Sequence, residues 1–311
     1  MELLLSALSQ GLLYAPMALG VFVAFRILNT PDLTIDGSMV FGMSVCAAVT
    51  IAGHPVLALF AGALAGALAG LVTGLLQTAL RINPILAGIL TMTGLYTVNF
   101  SVLGRQANVY LQSGQPPVAS ATVYRSFQAL FPDGTNPNLP VAVLTAVIVA
   151  CVCAAMCVFF RTRPGMAIRA TGDNEEMVRS SSINADGARI AGVMLSNALV
   201  ALTGSLLCQQ QRYADIDSGS GMLVVGLASV IIGQVFARRG GVTLGAVSAV
   251  LGSVLYRLII QIAYSLQLPS YWVKLLSAVI VALALAAPVV SQRLRESRLE
   301  REEAAGYERR A

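Results

Sequence analysis

Nine apolar runs divide the sequence: Leu3–Phe25, Met39–Ala52, Val56–Leu80, Pro84–Gly104, Leu139–Phe160, Ala188–Cys208, Leu223–Phe236, Val242–Ile262 and Trp272–Val290. Crossing a hydrocarbon core of ~30 Å takes about 20 residues of helix. Most of the runs reach that length. Met39–Ala52 and Leu223–Phe236 do not, since each makes only about 21 Å of helix. The pattern predicts an all-α polytopic membrane protein of nine spans, or eight to ten depending on how the two short runs are disposed. Residues 1–290 form the transmembrane domain, and residues 291–311 form a charged tail.

The longest polar segment between two apolar runs is Arg161–Asp186, which carries Arg161, Arg163, Arg169 and Arg179. The positive-inside rule places it in the cytoplasm. Alternation from there puts Arg26, Arg81, Arg189, Arg238, Arg239 and the tail on the same side, fifteen of the twenty Lys and Arg residues. The N-terminus is then external, as are His54, the loop Arg105–Asn138, Arg212 and Lys274. Within the cytoplasmic segment, Asn174–Ile183 reads as a short helix between breakers. Gly172 and Asp173 precede it, and Asn184 and Gly187 follow. Asp173 or Asn174 suits the N-cap, and Glu175 and Glu176 suit the first turn.

Both short runs follow polar, Gly-containing stretches, Thr30–Ser38 and Tyr213–Gly221, and an Ile-Asp pair recurs in them as Ile35-Asp36 and Ile216-Asp217. Around each, a full span comes before, a Gly/Ala-rich span after, then a Pro-containing link (Asn83-Pro84, Leu268-Pro269) and a further span. Spans one to four and six to nine thus form two units joined by span five, and an odd joining span makes them inverted repeats. Short, interrupted segments at matching places in inverted halves point to a translocation site.

Composition narrows the function. The 311 residues are 56% hydrophobic and 11% charged, with mean hydropathy +0.75. The net charge of +5 sits at span ends rather than in one patch, which does not suggest nucleic acid. The five cysteines lie in or beside apolar runs and read as buried free thiols, and a single histidine, His54, argues against a His-based metal site. Lys274, the one lysine, follows Val273, so no phosphate-binding G-x-x-x-x-G-K-[ST] loop exists and the chain does not hydrolyse ATP. No metalloprotease motif is present, and His54 has no serine partner for hydrolysis. Phe25-Arg26-Ile27 is unlike a leader cleavage site, so the first span is expected to be retained.

The candidate solute-path residues are Asp32, Thr34, Asp36, Ser38, Asn83, Thr91, Asp217 and Arg257. Each has a structural alternative. Asp32 and Asp36 suit capping of a helix starting near Ser38. Arg257, about five residues from a span end, can snorkel or can pair with Asp36, Asp217 or an anionic solute. Asn29, Asn83, Thr91, Thr93 and Asn99 can bond between helices. Gly62, Gly66, Gly70 and Gly74 make one smooth face suited to close packing.

Three motifs carry a resemblance: Pro31-Asp-Leu-Thr-Ile-Asp-Gly-Ser38, Asn83-Pro-Ile-Leu-Ala-Gly-Ile-Leu-Thr-Met-Thr93 and Gly165-Met-Ala-Ile-Arg-Ala-Thr-Gly-Asp-Asn174. From Leu3 to Val290 the chain resembles bacterial ABC-importer permeases of the branched-chain amino acid and ribose type, with a type II membrane fold, and within them the tryptophan/tyrosine-type permeases. The resemblance implies a non-enzymatic permease subunit in the bacterial inner membrane, moving a small polar solute such as an amino acid. It implies a second, identical permease subunit, an external substrate-binding protein, and a separate ABC ATPase that holds the ATP, this chain binding no cofactor. It also implies that the ATPase docks on a coupling helix comprising Gly172, Asp173, Asn174, Glu175, Glu176, Met177 and Arg179, with Ser182, Ile183 and Asn184 matching the family's closing pattern. An ion-coupled secondary transporter with inverted repeats is the alternative. It would be expected to hold titratable groups at mid-membrane, and the apolar runs contain no acidic residue.

Overall fold

The structure, a computed structural model, describes residues 2–111, 122–132, 136–237 and 241–265, with helical positions at 275, 278, 279, 282 and 286. Most of the ninth apolar run, the Leu268-Pro269 link, Arg238, Arg239, Lys274 and the charged tail lie outside the described residues. Apolar sequence becomes helix almost throughout: α1 (Glu2–Phe22, closing in a π-helical turn Val23–Ile27), α2 (Ile35–Ile51), α3 (Pro55–Thr78), α4 (Pro84–Val102), α5 (Val123–Gln128), α6 (Asn138–Phe159), α7 (Arg163–Asp173), α8 (Glu175–Ser180), α9 (Ala185–Gln211), α10 (Met222–Gln234) and α11 (Val242–Ser265). Seven helical segments among the described residues are long and apolar enough to cross a membrane, and α2 is a shorter apolar helix.

Local chemistry sets the helix starts. Pro55 and Pro84 occupy first turns, where a missing N–H costs nothing. The side chains of Asn83, Asn174 and Asn184 accept from the amides of Ile85, Met177 and Gly187 at 3.0, 3.0 and 2.9 Å. Two short strands, β1 (Asn108–Tyr110) and β2 (Tyr213–Asp215), pair antiparallel with Val109 opposite Ala214. They fasten the chain after α4 to the chain after α9 at one end of the bundle. At that end Gln209 Nε2 also donates to the Pro55 carbonyl at 2.6 Å.

Helices exchange partners between the two halves of the chain. α3 lies on α9, and α11 lies on α1. The glycine row makes the first contact possible: a Cβ at Gly62 would strike Ser205, at Gly66 Ala201 and Asn197, at Gly70 Val193 and Met194, and at Gly74 Ile190. A Cβ at Gly11 would likewise overlap Val254 on α11. Helix association in lipid gains little from the hydrophobic effect, so close backbone approach of this kind supplies the packing energy. The opposite face of α3 is exposed and wholly apolar, with Leu57, Phe60, Leu64, Leu68 and Val72 at least half exposed. Cys46 and Cys208 are buried as expected, whereas Cys151 points outward from α6.

Candidate functional site

The predicted polar break between the first two spans is real. After the π-helical turn the backbone leaves helical geometry at Asn29, with φ +51°, and re-enters at Ile35. Asp32 turns its carboxylate inward: Oδ1 accepts from the Thr34 amide at 2.8 Å, and Oδ2 accepts from Asn197 Nδ2 at 2.7 Å. The Asn197 side chain also donates to the Val193 carbonyl at 3.0 Å and accepts from Ser38 Oγ at 2.6 Å. Thr34 and Thr73 share a hydroxyl hydrogen bond of 2.8 Å. Asp32, Thr34, Ser38, Thr73 and Asn197 are all buried, so this is a satisfied polar network locking the break to α3 and α9. Three of the expected path residues are therefore brought together, with their polar atoms turned to protein rather than to open space.

Asp36 does something different. Its carboxylate accepts from the amides of Gly221 at 3.1 Å and Leu223 at 2.7 Å, the first turn of α10. A residue at the start of α2 thus caps the start of α10, and the two short helices meet N-terminus to N-terminus. The cap satisfies amides that the helix itself cannot, with a negative charge where the helix dipole favours one. The matching break before α10 has its own local turn, in which Asp215 Oδ1 accepts from the Asp217 amide at 3.1 Å. Asp217 is exposed, and its carboxylate has no hydrogen-bond partner among the described residues.

The other path candidates lie apart from these. Asn83 is an exposed cap of α4, and Thr91 is buried and bonded to the Ala87 carbonyl of its own helix at 3.0 Å. The Arg257 guanidinium stacks 3.5 Å from the Tyr14 ring centroid, a cation–π contact between α11 and α1, and does not pair with Asp36.

On the polar segment, the expected helix is present but shorter, Glu175–Ser180, and it stops where Ser182 adopts φ +59°. Asn174, not Asp173, is its cap. Glu175 is held by Arg179 one turn on, at 2.9 Å, and by Arg189 in the first turns of α9. Arg179 also reaches Asp186 at 2.5 Å. The bonds to Glu175, then Asp186, favour the charged guanidinium and raise its pKa. This ring of charges and the buried Val178 tie α8 to α9. Asp173, Asn174, Glu176, Met177, Ile183 and Asn184 remain exposed, with Met177 and Ile183 as apolar points in a polar face. α7, which the sequence did not suggest, joins α8 to the bundle. A Cβ at Gly172 would collide with the Ile27 carbonyl, so the end of α7 sits directly on the last turn of α1.

Sequence reasoning missed Asn197, Thr73, Arg189 and Tyr14. Asn197 had a signal, an amide in the middle of an apolar run, where an unpaired polar group is costly. Among the described residues no cluster of His, Cys, Asp and Glu could hold a metal ion.

A sequence model of the family described as the branched-chain amino acid transport system permease component matches residues 3–285. The chain is 33% identical over 285 residues to a tyrosine transport system permease protein of Clostridioides difficile, covering 91% of this chain and 90% of that one. It is 32% identical over 243 residues to an uncharacterised protein of Rickettsia prowazekii, covering 77% and 80% of the two chains. A shorter stretch of 112 residues, 36% of this chain and 31% of the relative, is 29% identical to the autoinducer 2 import system permease protein LsrC of Yersinia enterocolitica. No solved structure matches. With its apolar helices and this match across nearly its whole length, the chain belongs to the family of branched-chain amino acid-type ABC-transporter permeases, membrane subunits that are not enzymes and leave the ATP to a partner ATPase.

Proposed function

We propose that the chain is half of the membrane pathway of a bacterial inner-membrane importer. Two copies form a homodimer, an external binding protein delivers a small polar solute of the amino acid class, and two ATPase subunits dock on the cytoplasmic α8. The observation that carries the docking assignment is the latch under α8. Its outer face is free, while Glu175 grips Arg189 on α9 and Gly172 presses on the end of α1. A push on α8 therefore reaches α1 and α9, the first helices of the two halves.

The halves are read as inverted repeats of a nine-span, type II arrangement. Support comes from the exchanged packing of α3 on α9 and α11 on α1, and from the paired breaks before α2 and α10. In this reading, closure of the ATPase dimer moves α8 and rocks the halves against each other. The solute amino acid class follows the family and the tyrosine permease relative.

The test is co-purification of the tagged chain in mild detergent, followed by ATP-driven uptake in proteoliposomes. The parent should recover an ATPase in equal amount. Deletion of Glu175–Met177 should abolish recovery and uptake while the protein still inserts. Arg179→Glu, which sets a third carboxylate beside Glu175 and Asp186, should weaken both. Normal uptake by the deletion variant would overturn the docking assignment. A chain that purifies alone and moves solute on an ion gradient would support an ion-coupled carrier instead.

A further inference from the structure

Two exposed helix faces of this chain differ in chemistry. The outward face of α3 is apolar from Val56 to Leu75. The outward row of α4 starts in the same way, with Leu86 and Leu90 exposed, then changes at mid-helix to Thr93, Thr97 and Ser101, with Gly94 and Tyr96 beside it. The turn Ile216–Gly219 packs against α4, and it presents the exposed Asp217, whose carboxylate has no hydrogen-bond partner among the described residues, in a segment apolar enough to span. An ionised carboxylate facing hydrocarbon is costly and is found where water, protein or a ligand covers it.

From these observations we infer that the outer half of α4, with Asp217, is a wall of the solute path, and that this wall accepts the ammonium group of a solute. The inference rests on the permease reading above and assigns one surface and one chemical preference within it. The hydroxyls explain the preference. Thr93 Oγ1 donates to the Ile89 and Leu90 carbonyls at 2.9 Å each, and Ser101 Oγ donates to the Thr97 carbonyl at 2.8 Å. Their protons are committed to their own helix, so these hydroxyls offer lone pairs outward. Such a row, on the helix against which the Asp217 turn packs, presents acceptors to a cation. Leu86 and Leu90 below it give an apolar closure on the cytoplasmic side. The buried network around Asp32 takes no part, because its polar atoms are already paired.

The experiment uses the chain assembled with its ATPase, in a background with the five native cysteines replaced. Thr97→Cys and, as the lipid-side control, Leu64→Cys are each treated with membrane-impermeant methanethiosulfonates, one cationic and one anionic. Rates are normalised to those with a free thiol in solution. Thr97→Cys should react at least ten times faster than Leu64→Cys and should favour the cationic reagent several-fold. Asp217→Asn added to Thr97→Cys should bring that ratio close to one without slowing the anionic reagent. Equal, slow labelling at positions 97 and 64 would overturn the wall. A charge ratio unchanged by Asp217→Asn would overturn the role of Asp217. ATPase recovery and ATP-driven uptake, measured on the same preparations, report separately on the permease reading, so its failure is distinguishable from failure of the wall.

Discussion

Replacing Asn197 with Leu tests whether the buried network holds the first break in place. The side chain is fully buried and makes three hydrogen bonds, to Asp32, Ser38 and the Val193 carbonyl. Leucine keeps the branching and heavy-atom count of asparagine and is the bulkier of the two, so no cavity is opened and the bonds are what is lost. Ser38 can turn its hydroxyl to the carbonyl of its own preceding turn, at little cost. Asp32 Oδ2 has no such recourse, and a buried acceptor stripped of its partner costs about 1–3 kcal/mol. Interhelical hydrogen bonds in membranes average ~0.6 kcal/mol and reach ~1.7, so a fully buried carboxyl acceptor belongs near the top of both ranges. About 2 kcal/mol is expected, a roughly 30-fold shift in the folded-to-unfolded ratio. Reversible unfolding of the purified chain in mixed micelles measures it. Asp32→Ala supplies the second arm of a double-mutant cycle. Because both substitutions remove the same bond, the double variant should fall short of the sum by about 1 kcal/mol. Additivity within ~0.5 kcal/mol, or a variant as stable as the parent, would refute the network as a lock.

Two other perturbations follow from the packing. Gly66→Leu places a side chain where Ala201 and the Asn197 carbonyl already lie, and it should prevent α3 from seating on α9. The variant should lose the monodisperse peak in detergent gel filtration, whereas Leu64→Ala on the exposed face should keep it. Asp36→Ala removes two acceptors from the first turn of α10, a cap contribution of about 1 kcal/mol. Amide exchange at Leu223 should accelerate about five-fold, with α11 unaffected, and an unchanged rate would mean that Asp36 does not hold that turn.

Seven helices among the described residues, long and apolar enough to span, were legible because lipid imposes a coarse rule: about 20 apolar residues per crossing, and every backbone amide bonded within its own helix. The glycine row was legible for a similar reason, since spacing alone puts Gly62, Gly66, Gly70 and Gly74 on one face. The cap at Asn174 is local, needing only the next three residues. What failed to show was longer in range. Asp36 finds its partners 185 and 187 residues away, and Asn197 reaches Asp32 across 165. Thr91 and Thr93 look alike in sequence, yet one is buried and the other faces outward, a difference set by what packs on α4. α7, which holds Gly165 and Gly172, was hidden because Gly172 read as a breaker. Both glycines are there for clearance instead, against the Phe159 and Ile27 carbonyls.

The exchange of helices between halves also bears on how the protein is made. Ser253 on α11 donates to the Gly11 carbonyl on α1, a bond that spans 242 residues of chain. At a synthesis rate of roughly 5–20 residues per second, that stretch takes on the order of 10–50 s to emerge. Through this interval α1 is already in the bilayer with its Gly11 face uncovered, and α3 waits likewise for α9. Neither half can finish its interior before the other is translated. Completion of the bundle therefore waits on the last third of the chain.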